Sequence, residues 1–201
     1  MVLPRAVWIV AISIALLLVA LPVSWRVWPA RSPASVSIDQ ASLRSLGQLQ
    51  DQHGNPAANS LQGTAWPLVF FGFTHCVDIC PATLSRVAQV LEHLGDDAGQ
   101  LQPVFITLDP QRDTPEHLAA YLAFFDERIL GLSGTVEQVG QVADAWGVYS
   151  RRVPTDGGYM LDHSTTVFLL SPDGQLRQRF SGRVDDVRMV REIAAEQARL
   201  N

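Results

Sequence analysis

"LVFFGFTHCVDICPATLSRV", residues 68–87, joins an unbroken apolar run to two cysteines and then to a helical pattern. The opening "LVFFGF", 68–73, has the length and the aromatic and β-branched content of a buried strand. From about 81 to 95, Leu84, Val87, Leu91 and Leu94 recur on one side and Arg86, Gln89 and His93 on another, the 3.6-residue period of a half-wet helix. Cys76 and Cys80, the chain's 2 cysteines, therefore fall at the carboxyl end of a strand, where open α/β sheets bind their ligands. Pro81 suits a first helical turn and disfavours helical geometry for the residue before it. Cys80 is thus expected at the cap, where the helix dipole would favour its thiolate.

Outward from this junction the rhythm repeats. "PVFITLD", 103–109, reads as a second strand, and a helix over 115–126 opens with Thr114-Pro115-Glu116 and turns Leu118, Tyr121, Leu122 and Phe125 inward. A third helix, 136–146, has Thr135 and Gln138 as a capping box and Gly147 as its stop. "TTVFLL", 165–170, and "QLRQRF", 175–180, flank Ser171-Pro172-Asp173-Gly174 and predict an antiparallel hairpin, and a last helix runs over 186–199. The turn cluster "DQHGN", 51–55, predicts an earlier hairpin. Parallel βαβ units followed by a hairpin define an α/β fold with a mixed sheet flanked by helices, the thioredoxin-like arrangement.

Composition removes several functions. The 201 residues are 47% hydrophobic and 17% charged, and the 15 basic residues, all arginine, are outnumbered by 20 acidic ones. A chain with net charge −5 and no basic run lacks a footprint for nucleic acid, and without lysine it has neither Schiff-base chemistry nor a P-loop. Residues 6–25, "AVWIVAISIALLLVALPVSW", carry no charge and are long enough to cross a bilayer, with Trp8, Trp25 and Trp28 near the two ends. An uncut anchor, a cleaved signal peptide and a mitochondrial targeting segment compete. The run exceeds a signal peptide's apolar core, no clean cleavage site follows and no amphipathic Arg-rich segment is visible, which favours one N-terminal transmembrane helix. The expected organisation is a membrane anchor at 1–28, a Pro/Ala/Ser-rich linker at 29–37 and a folded domain at 38–201. Arg5 before the span and Arg26 and Arg31 after it leave its orientation open.

A cysteine pair so placed could be a staple, a redox couple or a metal clamp. A bridge closing a loop of so few residues gains little chain entropy, so the staple is the weakest of the three. A metal that changes oxidation state would profit from an added imidazole. Of the 5 histidines, His53 lies in a turn, His93 on a wet helix face and His117 in a capped first turn, all expected to be solvated. His75 adjoins Cys76 in an extended segment and should point to the opposite face. His163, before the strand at 165, has Asp162 beside it as an orienting partner. Asp109, Arg112 and Asp113 in "LDPQRDTP" either pair with one another and cap the next helix or dock a partner. The residues alone leave redox couple and metal clamp open.

"LVFFGFTHCVDICPATLSRV", "VFITLDPQRDTPEHLAAYL" and "YMLDHSTTVFLLSPDGQL" resemble, in order and spacing, the Sco/SenC family of copper chaperones for cytochrome c oxidase assembly, over residues from about 45 to 199. The resemblance implies a thioredoxin-like fold, a membrane tether and copper, as Cu(I) or Cu(II), held by Cys76, Cys80 and His163. Val77 stands where many members have proline. Asp78 and Asp162 match acidic positions of the motifs and, being hard ligands, are expected behind the metal ligands or against a partner. The implied acceptor is the dinuclear copper centre in subunit II of cytochrome c oxidase, and the donor could be another periplasmic copper chaperone. The implied location is the bacterial inner membrane with the globular domain in the periplasm. Two rivals stand beside this reading. One is a thiol-disulfide oxidoreductase using a redox-active Cys76–Cys80 disulfide to reduce the oxidase's own cysteines. The other is a thioredoxin-like peroxidase, which would have no use for His163.

Overall fold

A computed structural model describes residues 40–61 and 66–200. The expected anchor, residues 1–28, and linker, 29–37, lie outside the described residues, and among the described residues no helix is long and apolar enough to cross a membrane.

In chain order the elements are α1 Gln40–Ser45, β1 Gln50–Asp51, α2 Ala57–Ser60, β2 Trp66–Gly72, α3 Ile79–Leu94, β3 Leu101–Thr107, α4 Pro115–Ala123, β4 Leu130–Ser133 and α5 Val136–Ala145. They continue as β5 Ser150–Thr155, β6 Gly158–His163, β7 Val167–Leu170, β8 Leu176–Phe180 and α6 Asp186–Ala198. Six strands form one sheet in the order β1-β4-β3-β2-β7-β8, and β5 and β6 form a separate pair. β2, β3 and β4 run parallel, while β1, β7 and β8 each run antiparallel to their neighbours.

β2 occupies the middle of this sheet, and all 7 of its residues are buried. Its alternation explains the unbroken apolar run: Leu68 and Phe70 enter one core with Leu84, Val87 and Leu91 of α3, Leu118 and Leu122 of α4, and Met189 and Ile193 of α6. Val69 and Phe71 face the other way and pack with Ile106, Leu132, Val139, Val142 and Trp146. A strand covered on both faces needs apolar side chains at every position, which is why its period is hidden. A third cluster of Phe73, Cys80 and Leu161 lies at the end of β2.

Local signals set the helix starts. Thr114 accepts from the His117 backbone at the head of α4, and the Thr135–Gln138 capping box forms in both directions at α5. Gly147, at φ +62, follows α5 in a conformation that favours glycine. The predicted hairpin at 51–55 is only half right. Its turn forms, with Gly54 at φ +81 and its N–H donating to the Asp51 carbonyl at 3.0 Å. The return strand shrinks to a single bridge between Gln50 and Pro56, because α2 begins at Ala57 and β1 pairs with β4 instead.

Inspection of the sequence misses the β5–β6 hairpin, as it misses α1, α2 and β4. His163 does not end a loop; it is the last residue of β6, paired with Ser150 across the hairpin. The turn signal, Asp156-Gly157-Gly158, is present in the sequence, but its flanks are Arg-rich and half-polar and do not read as strands. α3 begins two residues earlier than Pro81, which places the proline in its first turn.

Candidate metal centre

The chain leaves β2 through Phe73, whose carbonyl accepts from the Cys76 N–H at 3.2 Å, and enters α3 behind Asp78. Cys76 sits half-buried in this turn, whereas Cys80, inside the first turn of α3, is 1% exposed. Gly72 makes room for it. A Cβ at position 72 would stand 2.9 Å from the Cys80 sulfur and 2.8 Å from Phe105 Cε2, so only a residue without a side chain lets β2 end against the helix here.

Neither cysteine is in a disulfide. The thiolate is Cys76, not Cys80 as expected from the sequence. The Cys80 thiol donates to Cys76, and with help from His163 and the backbone N–H groups of Asp78 and Cys80 it holds the Cys76 thiol down at about 3, against the opposing effect of burial. The Cys80 N–H reaches the Cys76 sulfur at 3.4 Å, so the helix's first amides serve the residue in the turn before it. Cys80 moves the other way: it supplies the proton to its neighbour and is desolvated, and both effects push it up.

His163 completes the group. Its Nε2 lies 3.7 Å from the Cys80 sulfur, and one ligand atom from each of Cys76, Cys80 and His163 falls within 4.8 Å of the others. The other ring nitrogen, Nδ1, is 2.8 Å from the Ser164 carbonyl, which can only accept. Nδ1 therefore donates to that carbonyl, which leaves Nε2 as the nitrogen turned to the sulfurs. Asp162, the orienting partner expected from the sequence, has turned outward to Arg151 at 3.5 Å. Asp78 is also exposed and contributes through its backbone.

The position of His163 depends on what holds the hairpin. Tyr159 of β6 donates its hydroxyl to Asp109 at 2.7 Å, while Arg112 donates to the Tyr159 carbonyl at 3.1 Å and stacks its guanidinium 3.9 Å from the ring centroid. Arg152 stacks at 4.5 Å from the same ring. Asp109 and Arg112 are joined in an ion pair, so part of the pairing expected for "LDPQRDTP" is present and it fastens a second element. Asp113 does not cap α4. It is fully buried and accepts from Thr74 and Thr107. Tyr159 and Arg152 were not legible as contributors to the site, since each contacts residues some 40 or more positions away.

Among the remaining histidines, His53 is exposed and His93 pairs with Asp186 at 3.1 Å, as solvated residues do. His75 is not grouped with the thiols; its Nδ1 lies 3.0 Å from the Thr74 hydroxyl. His117 departs from expectation: though exposed, its Nε2 meets the Thr74 hydroxyl at 3.0 Å. Beside the thiols, Phe73, Val77, Ile79, Met160 and Leu161 line an open cleft, and Val77, at 85% exposure, is its most solvent-facing apolar residue.

Two thiol sulfurs and an imidazole nitrogen form a soft to borderline donor set, suited to thiophilic metals and poorly suited to hard cations. A mixed sheet with helices on both faces and a cysteine pair where the central strand meets a helix defines a thioredoxin-like protein, and the imidazole brought beside the pair gives it the donors of a thiol-based metal site. The family model described as SCO1/SenC matches residues 37–198, and the chain belongs to that family. It is 45% identical over 120 residues to the mitochondrial protein SCO2 homolog of Bos taurus, covering 58% of this chain and 45% of that one. With a SCO2-like protein of Rickettsia conorii it shares 35% over 156 residues, 76% of each chain. The structure of Bradyrhizobium japonicum ScoI with copper bound superposes with a TM-score of 0.67 at 37% identity, over 74% of this chain and 95% of that one. Yeast Sco1 with copper bound gives 0.65 at 36%, over 73% and 83%. The match spans about half the length of the mammalian mitochondrial relatives, 45% for the bovine and 49% for the human protein.

Proposed function

We propose that this chain is a membrane-anchored copper chaperone that holds copper through Cys76, Cys80 and His163 and passes it to the dinuclear copper site of cytochrome c oxidase subunit II. The observation that carries the reading is the convergence of these three side chains from two separate elements. The copper-bound structures of its relatives support the choice of metal. Two thiolates suit Cu(I), and the added imidazole suits Cu(II). Binding Cu(I) between the sulfurs displaces the Cys80 proton, and the half-buried Cys76 gives an incoming partner ligand access to one side of the site. The anchor at 1–28 and linker at 29–37, with the domain from 38 in the bacterial periplasm, would keep donor and acceptor on one membrane face and raise their effective concentration. Another periplasmic chaperone would supply the copper.

The test is to titrate the reduced protein with Cu(I) against a competing chelator and to record the thiolate-to-Cu(II) charge-transfer band. Cys76→Ser and Cys80→Ser each abolish tight Cu(I) binding, whereas His163→Ala leaves Cu(I) bound and weakens Cu(II). An unchanged Cu(II) spectrum in His163→Ala overturns the three-ligand site.

The low-lying Cys76 thiol favours a second reading, thiol-disulfide exchange with the oxidase's cysteines. Cys76 attacks a partner disulfide to form a mixed disulfide and release one partner thiol. Cys80 then resolves it, leaving a Cys76–Cys80 disulfide and a partner reduced by two electrons. Reduced wild type that binds no copper yet reduces protein disulfides would favour this reading.

A further inference from the structure

Where the loop after β2 meets the start of α4, a second group of metal-ligating side chains gathers that shares no residue with the proposed copper site. His75, Asp113 and His117 each offer one ligand atom, and these three atoms lie within 4.8 Å of one another. They come from the loop after β2, the loop before α4 and the first turn of α4. The two imidazole rings lie 5.6 Å apart, tilted by 33°.

The chemistry around them resembles a prepared site more than a chance cluster. His75 Nδ1 and His117 Nε2 each lie 3.0 Å from the Thr74 hydroxyl oxygen, so both rings turn one nitrogen to the same hydroxyl, which a bound ion would displace. That hydroxyl donates to Asp113 Oδ1 at 2.6 Å. The opposite carboxylate oxygen, Oδ2, is fixed by the Thr107 hydroxyl at 2.6 Å and the Thr74 N–H at 3.1 Å. Oδ1 also stands 3.7 Å from His75 Nδ1. A carboxylate that is 0% exposed and held by three hydrogen bonds is a rigid anchor, whereas both histidines are exposed and can rotate. Ligand atoms around a tetrahedral zinc-like ion stand about 3.4 Å apart, a contraction of roughly an ångström that two surface imidazoles can supply. Fixing a carboxylate through one oxygen, Oδ2, while the other, Oδ1, turns toward an imidazole is how proteins orient metal ligands.

We infer that His75, Asp113 and His117 form a second metal site, for a divalent borderline cation such as Cu(II) or Zn(II). Two imidazoles and one carboxylate lack the sulfur that Cu(I) prefers, and the order of divalent affinities puts Cu(II) first. His75 is directly followed by Cys76, so neighbouring residues on one loop serve a borderline site and a soft one. This inference does not rest on the thiol site holding copper, and its test removes that site.

The full-length Cys76→Ser/Cys80→Ser/His163→Ala chain is titrated with Cu(II) and followed by electron paramagnetic resonance. It takes up one equivalent with a nitrogen-coordinated signal, and adding His75→Ala or His117→Ala weakens this uptake at least tenfold, while His53→Ala and His93→Ala do not. Uptake that is absent, or that ignores His75 and His117, or that falls equally with His53 or His93, overturns the site. Should the triple variant fail to fold, wild type titrated with Zn(II) decides. Beyond the first equivalent the imidazole resonances of His75 and His117 shift together if the site exists and stay in place if it does not.

Discussion

At the scale of single residues, the division of labour between the two cysteines comes from one turn of helix. Cys76 is half-buried and faces the amide of Cys80, while Cys80 is buried beside Gly72 in a cluster with Phe73 and Leu161. Iodoacetamide is therefore expected to modify Cys76 at least tenfold faster than Cys80, read by peptide mass spectrometry. Because the Cys76 thiol is lowered to about 3 instead of 9.0, its thiolate fraction stays full as pH falls from 8 to 5. The Cys76 rate should accordingly be flat over that range, where an ordinary cysteine would slow about a thousandfold. Equal modification of the two thiols, or a Cys76 rate that falls with pH, contradicts the assignment. The sequence located both residues but exchanged their roles. Pro81 marks the first helical turn correctly, yet whether the helix starts at 79 or 81 decides which sulfur the amides face, and that offset is too fine to read from a proline. His163 was singled out by its place before a strand with Asp162 beside it and was named a ligand only through the family resemblance, whereas the source of its orientation, the carbonyl of Ser164, leaves no trace in residue type.

At the scale of elements, the β5–β6 hairpin is a bracket that delivers His163, and it is bolted to the loop after β3. Tyr159, between the guanidinium groups of Arg112 and Arg152, is the bolt. Arg112→Ala removes the stacking, the bond to the Tyr159 carbonyl and the closer of two cationic partners of the fully buried Asp109, which keeps only Arg152 at 4.0 Å and the Tyr159 hydroxyl. The expected outcome is a loss of about 3 kcal/mol of stability, the lower end for breaking a buried pair because Arg152 and the Tyr159 hydroxyl still face Asp109, measured by urea unfolding. In the folded fraction, Cu(II) binding, which needs His163, weakens while Cu(I) binding through the cysteines persists. Tyr159→Phe is the milder test. It deletes one hydroxyl that bonds Asp109 at 2.7 Å and should cost about 1–3 kcal/mol, the range for a hydrogen bond to a charged group, with the same bias against Cu(II). If both variants bind Cu(I) and Cu(II) as wild type does, the hairpin does not need this fastening to place His163. Elements with a strong local period, such as α3 and α5, were readable because one face repeats and caps mark the ends. β5 and β6 were not, because a two-stranded ribbon lying outside the main sheet has few buried positions and so no apolar alternation to read.

At the scale of the whole domain, the fold places its chemistry at one end of a central strand and its bulk stability elsewhere, so the two should separate under mutation. Leu132 of β4 is 0% exposed in the core on one face of the sheet, and β4 stands two places from β2 in the strand order. Leu132→Ala leaves a cavity worth about 2–5 kcal/mol. For a domain of this size that corresponds to a fall in melting temperature of roughly 5–15 °C. None of the three candidate ligands belongs to the cluster around Leu132, so the protein that remains folded should bind Cu(I) within about threefold of wild type. Gly72→Ala makes the opposite case. Its added methyl would meet the Cys80 sulfur at 2.9 Å and the Phe105 ring at 2.8 Å, both fixed by a packed interior. Overpacking of this kind costs about 1–3 kcal/mol, less than the Leu132 cavity at its upper range. Yet it acts by moving Cys80 itself, and Cu(I) affinity should drop at least tenfold. Thermal unfolding and chelator competition on the two variants give a crossed result if stability and site are distinct, with the larger stability loss in Leu132→Ala and the larger affinity loss in Gly72→Ala. Parallel losses in both measurements would mean that the site is only as ordered as the domain around it, and that the close fit of Gly72, Cys80 and Phe105 has no special part in holding the metal.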